Sequence, residues 1–226
     1  MFGHDYKLGL ACLSKKEVRK NFAQQQNLEE NLVYLTARKM NRCVGERKTL
    51  LYENDKKIEA ITEIYHKYPD KLAMVFSQTV SMADRITTQV NGLAMGERCV
   101  AYHSKVKGRK VDGKYWGQKR ILGRAIDSFA DSKSDIQWLS AAKALDVGAD
   151  IPDVDLGVIT SGTSKVRQNI QRIGRIIRKV EGKEAIIIQL YMLKTKDEEW
   201  LKSRGRGTPT ENVQFIRRLD EIDNYV

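Results

Sequence analysis

The sequence predicts an α/β domain, a doubly wound and mostly parallel sheet with helices on both faces, preceded by an N-terminal helical segment and followed by a C-terminal helix. Three observations carry this expectation. Short apolar runs alternate with helical patterns from about residue 70 to 200. The strand-like runs are continuously apolar, as expected where both faces are covered. The residues before Pro69 repeat with helical rather than strand spacing.

From Ser14 to about Met40 there is no Gly or Pro, and Val18, Phe22, Leu28, Leu32 and Leu35 recur at near-helical spacing. Gly45 is read as an interruption, and a second helix is expected over 46–68 with Leu50, Leu51, Ile58, Ile61 and Ile64 on one face. Leu72 to Phe76 reads as a buried strand, 80–90 as a helix and 98–102 as a short strand. The segment 103–114 reads as a polar, basic loop. A helix over 115–129, strands at 136–139 and 154–160, a helix over 165–178 and a strand over 185–192 complete the alternation. The stretch from Arg204 to Pro209 reads as a hinge. A last amphipathic helix is expected over 210–224, with Val213, Ile216, Leu219 and Ile222 in register. The domains expected are a helical lead-in at 1–68 packing on the α/β domain, that α/β domain at 69–203, and a hinge with its helix at 204–226.

The 226 residues hold 40 Lys+Arg against 29 Asp+Glu, a net charge of +11. That balance favours a polyanionic partner, nucleic acid before an anionic membrane surface. Cys12, Cys43 and Cys99 are widely spaced and odd in number, which suits no disulfide framework and predicts small buried hydrophobes in a reducing compartment. They do not cluster with His4, His66 and His103, so no zinc site is expected. No run approaches the ~20 apolar residues of a membrane span, and the start of the chain has no apolar run suited to a signal peptide. A cytoplasmic protein is expected, nuclear if eukaryotic, neither secreted nor bound to membrane.

The most informative stretch runs from Gln171 to Arg178. Arg175 and Arg178 are three apart and share one face of a helix, so two guanidiniums can converge on one anion and neutralise charge on a transferring phosphoryl group. Arg172 points elsewhere on this reading, and an ordinary basic helix is the competing one. Upstream, Gly148 and Asp150 stand just before Pro152 and a strand. At the tip of an α/β sheet such a pair offers a backbone amide and a carboxylate to a ribose or phosphate, although a plain turn has the same composition. Five cations, Lys105, Lys107, Arg109, Lys110 and Lys114, occupy the twelve residues from His103 to Lys114, a candidate phosphate-tracking loop. Tyr102, Tyr115 and Trp116 bracket it and could stack on bases or anchor the loop. Trp138, beside Leu139, reads as core.

Taken in order, these residues resemble the C-terminal RecA-like domain of superfamily 2 helicases. Val75 to Thr79 looks like motif IV, Lys119-Arg120 through Phe129 like the helix before motif V, Leu139 to Pro152 like motif V, and Gln171 to Arg178 like motif VI. Thr195 to Glu199 is similar to the acidic segment after the last strand. The resemblance covers about residues 46–203, and its style is closest to the XPB-like, UvsW-like and restriction-translocase branch. It implies that Arg175 and Arg178 reach a γ-phosphate across an interdomain cleft, with Gln171 beside them. It places Asp150 near the ribose and the Gly148 backbone near a nucleic-acid strand. Ser77, Gln78, His103 and Ser104 become candidates for contacts to the nucleic-acid backbone, with Lys105, Lys107 and Arg109 behind them. Ala142 stands where the family usually has Ser or Thr, and Ser140 or Ser161 could supply the missing hydroxyl.

The chain has no GxxxxGK[ST] segment, and the acidic run from Asp197 to Trp200 falls after motif VI, where it reads as a helix start. The expectation is therefore the second motor domain of an ATP-dependent DNA helicase or translocase, inactive alone and part of a longer protein or a separately expressed half. ATP and Mg²⁺ would be held mainly by an N-terminal RecA-like domain of the same protein. DNA is favoured over RNA by motif style. A non-catalytic RecA-like docking module is the alternative; the translocase half of a restriction enzyme is a weaker one.

Overall fold

The computed structural model describes residues 28–142, 151–162, 165–176, 185–206 and 213–224. Two compact units are distinguished, Met1–Thr49 and Leu50–Val226. Helix α1 (Leu28–Tyr52) lies mostly in the first. It runs through Gly45, contrary to the interruption expected there. A single exposed glycine costs a helix only about 1 kcal/mol relative to alanine, which the flanking turns absorb. The real break comes at Asn54, whose side chain accepts the Lys56 N–H and caps α2 (Asp55–Lys67). In α2, Ile61, Ile64 and Tyr65 belong to the core of the second unit.

That unit is built on five parallel strands, β1 (Ala73–Ser77), β2 (Cys99–Tyr102), β5 (Trp138–Ala142), β6 (Leu156–Ile159) and β7 (Ile186–Gln189), in the order β2-β5-β1-β6-β7. Alternation along the strands splits the core in two. Ala73, Val75, Trp138, Leu156 and Val158 face α2 and α3 (Val80–Ala94), where Met82, Ile86 and Val90 repeat at helical spacing. Met74, Phe76, Leu139, Ala141 and Ile159 face the other way, against Phe129 of α4 (Gln118–Ala130) and Ile176 of α5 (Val166–Ile176). Each such aliphatic side chain contributes roughly 1.5–3 kcal/mol when fully buried. Trp138 is core, as expected, edge-on to Tyr65 at 5.5 Å.

The basic loop is the main departure. Within it, β3 (Arg109–Val111) and β4 (Lys114–Trp116) pair antiparallel as a hairpin. Asp112 and Gly113 form its turn, both with positive φ (48° and 77°). An Asp-Gly pair is among the strongest short hairpin signals because its backbone twist matches the flanking strands; the charge of the segment obscured it. The other corrections lie at the C-terminus. Arg204 is the buried last residue of α6 (Lys196–Arg204), not part of a hinge. Residues 213–218 are not helical, and only a 3₁₀ helix follows, Leu219–Asn224. Val213 and Phe215 are exposed, whereas Leu219 packs against the core and Ile222 is buried, so only the second half of the expected apolar face is covered and the first gains little by becoming helical. No helix among the described residues is long and apolar enough to cross a membrane.

Candidate nucleotide and nucleic-acid site

Because the five strands are parallel, their carboxyl ends share one edge of the sheet, where ligands of such folds bind. Ser77 ends β1 there. Its hydroxyl is buried and donates to the carbonyls of Ala141 (3.2 Å) and Thr79 (3.1 Å). It therefore ties β1 to β5, and is not displayed to a ligand. Gln78 follows, also buried. Its backbone N–H donates to Ser161 Oγ at 3.3 Å and its Nε2 to Gln168 Oε1 at 3.3 Å. Thr79 then caps α3 by accepting the Met82 N–H. Of the two hydroxyls considered as stand-ins at Ala142, Ser140 is turned into the core, donating to Ala83 O. Ser161 is at the edge, occupied with Gln78.

His103 follows β2 and is buried. Its Nδ1 accepts the Lys105 N–H at 3.2 Å, which leaves Nε2–H of the neutral ring to donate to Asp84 Oδ1 at 2.8 Å. The imidazole thus fastens the start of the basic segment to α3. Ser104 is exposed, and its carbonyl accepts from Gln118 Nε2 at 2.6 Å. Beyond it Lys105, Lys107, Arg109, Lys110, Lys114, Lys119, Arg120 and Arg124 are all exposed.

Helix α5 starts beside the same edge. Gln171 is exposed on it, and Arg175 stands one turn further along the backbone. Arg178, Gly148 and Asp150 lie outside the described residues. Arg172 was expected to be uninvolved, yet it is buried. Its Nη1 donates to Ser161 O at 2.9 Å and its Nη2 to Ser77 O at 3.5 Å, and the guanidinium lies 5.6 Å from the Phe76 ring centroid. It clamps the ends of β1 and β6 to the arginine helix. Spacing alone could have suggested this, since Arg172 and Gln168 are four apart and both turn toward Gln78 and Ser77. Gly157 lets α5 approach closely: a Cβ there would fall 2.6 Å from Ile176 Cγ1. The donor set of α5 suits phosphate oxygens. Among the described residues no three His, Cys, Asp or Glu side chains converge as metal ligands.

By sequence Asp197 is a carboxylate favouring a helix N-terminus. It is that, in the first turn after the Thr195 cap, but it is also fully buried. Its Oδ2 accepts from Lys57 Nζ at 2.6 Å and from the Met192 N–H at 3.3 Å, and Arg204 Nη1 lies 3.9 Å from Oδ1. Burial pulls the Lys57 ammonium below the ordinary lysine range, with Asp197 opposing the shift, and lowers Arg204 in the same way. Nothing in the sequence pairs residues 57 and 197, which are 140 positions apart. Of the cysteines, Cys99 is buried and its thiol is pushed up to about 12 by loss of hydration. Cys43, expected to be buried, is exposed because it lies on α1.

A five-stranded parallel sheet in the order β2-β5-β1-β6-β7, helices on both faces and a basic helix at its carboxyl edge define a RecA-like α/β domain. Residues 56–180 match the helicase conserved C-terminal domain, over half of the chain, and the chain belongs to that family. It is 28% identical over 152 residues to a protein named DNA 3'-5' translocase XPB2 from Sulfurisphaera tokodaii, covering 67% of this chain and 30% of that one. It is 26% identical over 170 residues to a putative DNA 3'-5' helicase Rad25 from Halobacterium salinarum, covering 74% of this chain and 24% of that one. The chain thus spans less than a third of the length of these curated relatives. The C-terminal domain of the DEAD-box protein Dbp5 has the same fold, with a TM-score of 0.58 at 20% identity, covering 77% of this chain and 91% of that one.

Proposed function

We propose that this chain is the second motor domain of an ATP-dependent DNA helicase or translocase. In this account it supplies arginine fingers to a nucleotide held by an N-terminal RecA-like domain, and strand-end groups to nucleic acid. The observation that carries the proposal is the coupling of the two at one sheet edge. Arg172 binds the carbonyls of Ser77 and Ser161 from within the helix that bears Gln171 and Arg175. A shift of that helix is transmitted to the ends of β1 and β6 rather than absorbed.

Bound MgATP would supply the transferable γ-phosphate and its charge. Arg175 and Arg178 would neutralise the charge developing on that group, with Gln171 beside them. Asp150 would hold the ribose, and the Gly148 amide would meet the strand. Ser104, Lys105, Lys107 and Arg109 would follow the phosphodiester backbone, while buried Ser77, Gln78 and His103 set the shape of the edge beneath it. Domain closure on nucleotide would then move the strand. DNA is favoured over RNA as the strand because the two relatives above are named for DNA.

The test is ATP turnover by the complete natural polypeptide, stimulated in turn by single-stranded, duplex and forked DNA and by RNA. The proposal expects stimulation by DNA. Turnover indifferent to every nucleic acid contradicts it and favours a docking module.

A further inference from the structure

The three aromatic residues around the basic segment have different situations. Tyr102 ends β2 and packs into the core beside α4. The Trp116 ring is occupied, with the Arg120 guanidinium 3.9 Å and that of Arg124 5.1 Å from its centroid. Tyr115 is different, being 71% exposed. In the hairpin register Tyr115 pairs with Lys110, so both project from one face, while Arg109 and Trp116 project from the other. The phenol end of the ring lies over Gly108. A Cβ at that position would fall 2.8 Å from Tyr115 Cζ and 2.6 Å from the Trp116 carbonyl oxygen. Only glycine lets the ring lie there.

A fixed aromatic ring beside exposed Lys110 on one face of the hairpin combines the two elements of sequence-tolerant strand binding, a π-surface and a cation. We propose that the Tyr115–Lys110 face is a stacking platform for an unpaired base of a single nucleic-acid strand. The idea rests on the nucleic-acid reading above and adds to it a residue, a contact chemistry and a preference. Bases within a duplex are already stacked and offer this ring only their backbone. Arg120 and Arg124 of α4 lie against the Trp116 ring on the opposite face and tie β4 to that helix, which stiffens the platform.

The test uses the 226-residue chain and equal-length oligomers: oligothymidylate carrying one 2-aminopurine, a fully abasic strand, and a duplex. Affinity is measured at several salt concentrations, and 2-aminopurine fluorescence is followed on binding. Tyr115→Ala should weaken oligothymidylate binding about 5- to 150-fold, abolish the 2-aminopurine change and leave the salt dependence intact. Its affinity for the abasic strand and the duplex should match wild type, and Tyr115→Phe should bind as wild type does. Lys110→Ala should instead reduce the salt dependence on all three ligands. The platform is overturned if Tyr115→Ala binds oligothymidylate as wild type does, if it loses the abasic strand and duplex equally, or if Tyr115→Phe is as weak as alanine. Should lysine variants weaken binding while Tyr115→Ala is silent, the platform alone fails. A wild-type chain that binds none of the oligomers sinks both the platform and the nucleic-acid reading.

Discussion

Changing Asp197 to Asn keeps its shape and removes one charge, which makes it a clean probe of how α2 and α6 are joined. In the wild type the carboxylate receives Lys57 Nζ at 2.6 Å and sits 3.9 Å from Arg204 Nη1, with side chains 2% (Lys57), 0% (Asp197) and 1% (Arg204) exposed. Without the negative charge two buried cations face each other uncompensated. Breaking a buried pair from one side costs about 3–5 kcal/mol. At about 2–4 °C per kcal/mol for a domain of this size, the melting temperature should fall by about 6–20 °C. Urea unfolding followed by circular dichroism measures the loss. Adding Lys57→Met should return part of it, because one orphaned cation disappears, and the double-mutant cycle should show that coupling. The pH response has a definite sign. The folded-state pKa of Lys57 lies below the unfolded value, so between the two the unfolded chain binds more protons and stability rises with pH up to about 10.5. Asp197→Asn removes the opposing attraction and extends that rise to lower pH, while Lys57→Met abolishes the contribution. A loss under about 1 kcal/mol for Asp197→Asn, with no coupling to Lys57, would refute the argument that this carboxylate compensates buried charge.

Three further outcomes are expected. Gly157→Ala should cost about 1–3 kcal/mol by driving a methyl into Ile176, and Gly157→Ala with Ile176→Val should recover part of it in thermal melts; equal melting of all three proteins contradicts the close approach. Arg172→Ala should cost about 1–3 kcal/mol by leaving the carbonyls of Ser77 and Ser161 without their donor, read from urea midpoints at constant slope. Brief N-ethylmaleimide treatment at pH 8 followed by peptide mapping should find label on Cys43 and not on Cys99, whose thiol stays protonated; labelling of Cys99 in the folded chain contradicts its burial.

The central strand was legible because strands buried on both faces are continuously apolar, as Leu72 to Phe76 is, whereas Ala185 to Met192 carries its apolar run on the half-buried edge strand β7. Element ends were less so, since they depend on caps such as Asn54, Thr79 and Thr195 that act over one or two residues. The hairpin is hard to see for a different reason: five cations give the segment the composition of a solvated loop, although Asp112-Gly113 carries the turn chemistry. At the site, sequence order located the carboxyl edge and the arginine helix. It could not say which polar groups face inward. Ser77 and His103 are spent on the fold, and Arg172 is the clamp between helix and strands. The Lys57–Asp197–Arg204 cluster was invisible because ion pairing across 140 residues leaves no local pattern.

The central claim is that α5 acts on a nucleotide bound to another domain, and it is tested most directly by separating binding from turnover. Arg175→Ala and Arg178→Ala, each in the complete natural polypeptide, should abolish DNA-stimulated ATP turnover while leaving nucleotide affinity within a few-fold of wild type. Near-normal turnover in both variants would contradict the account.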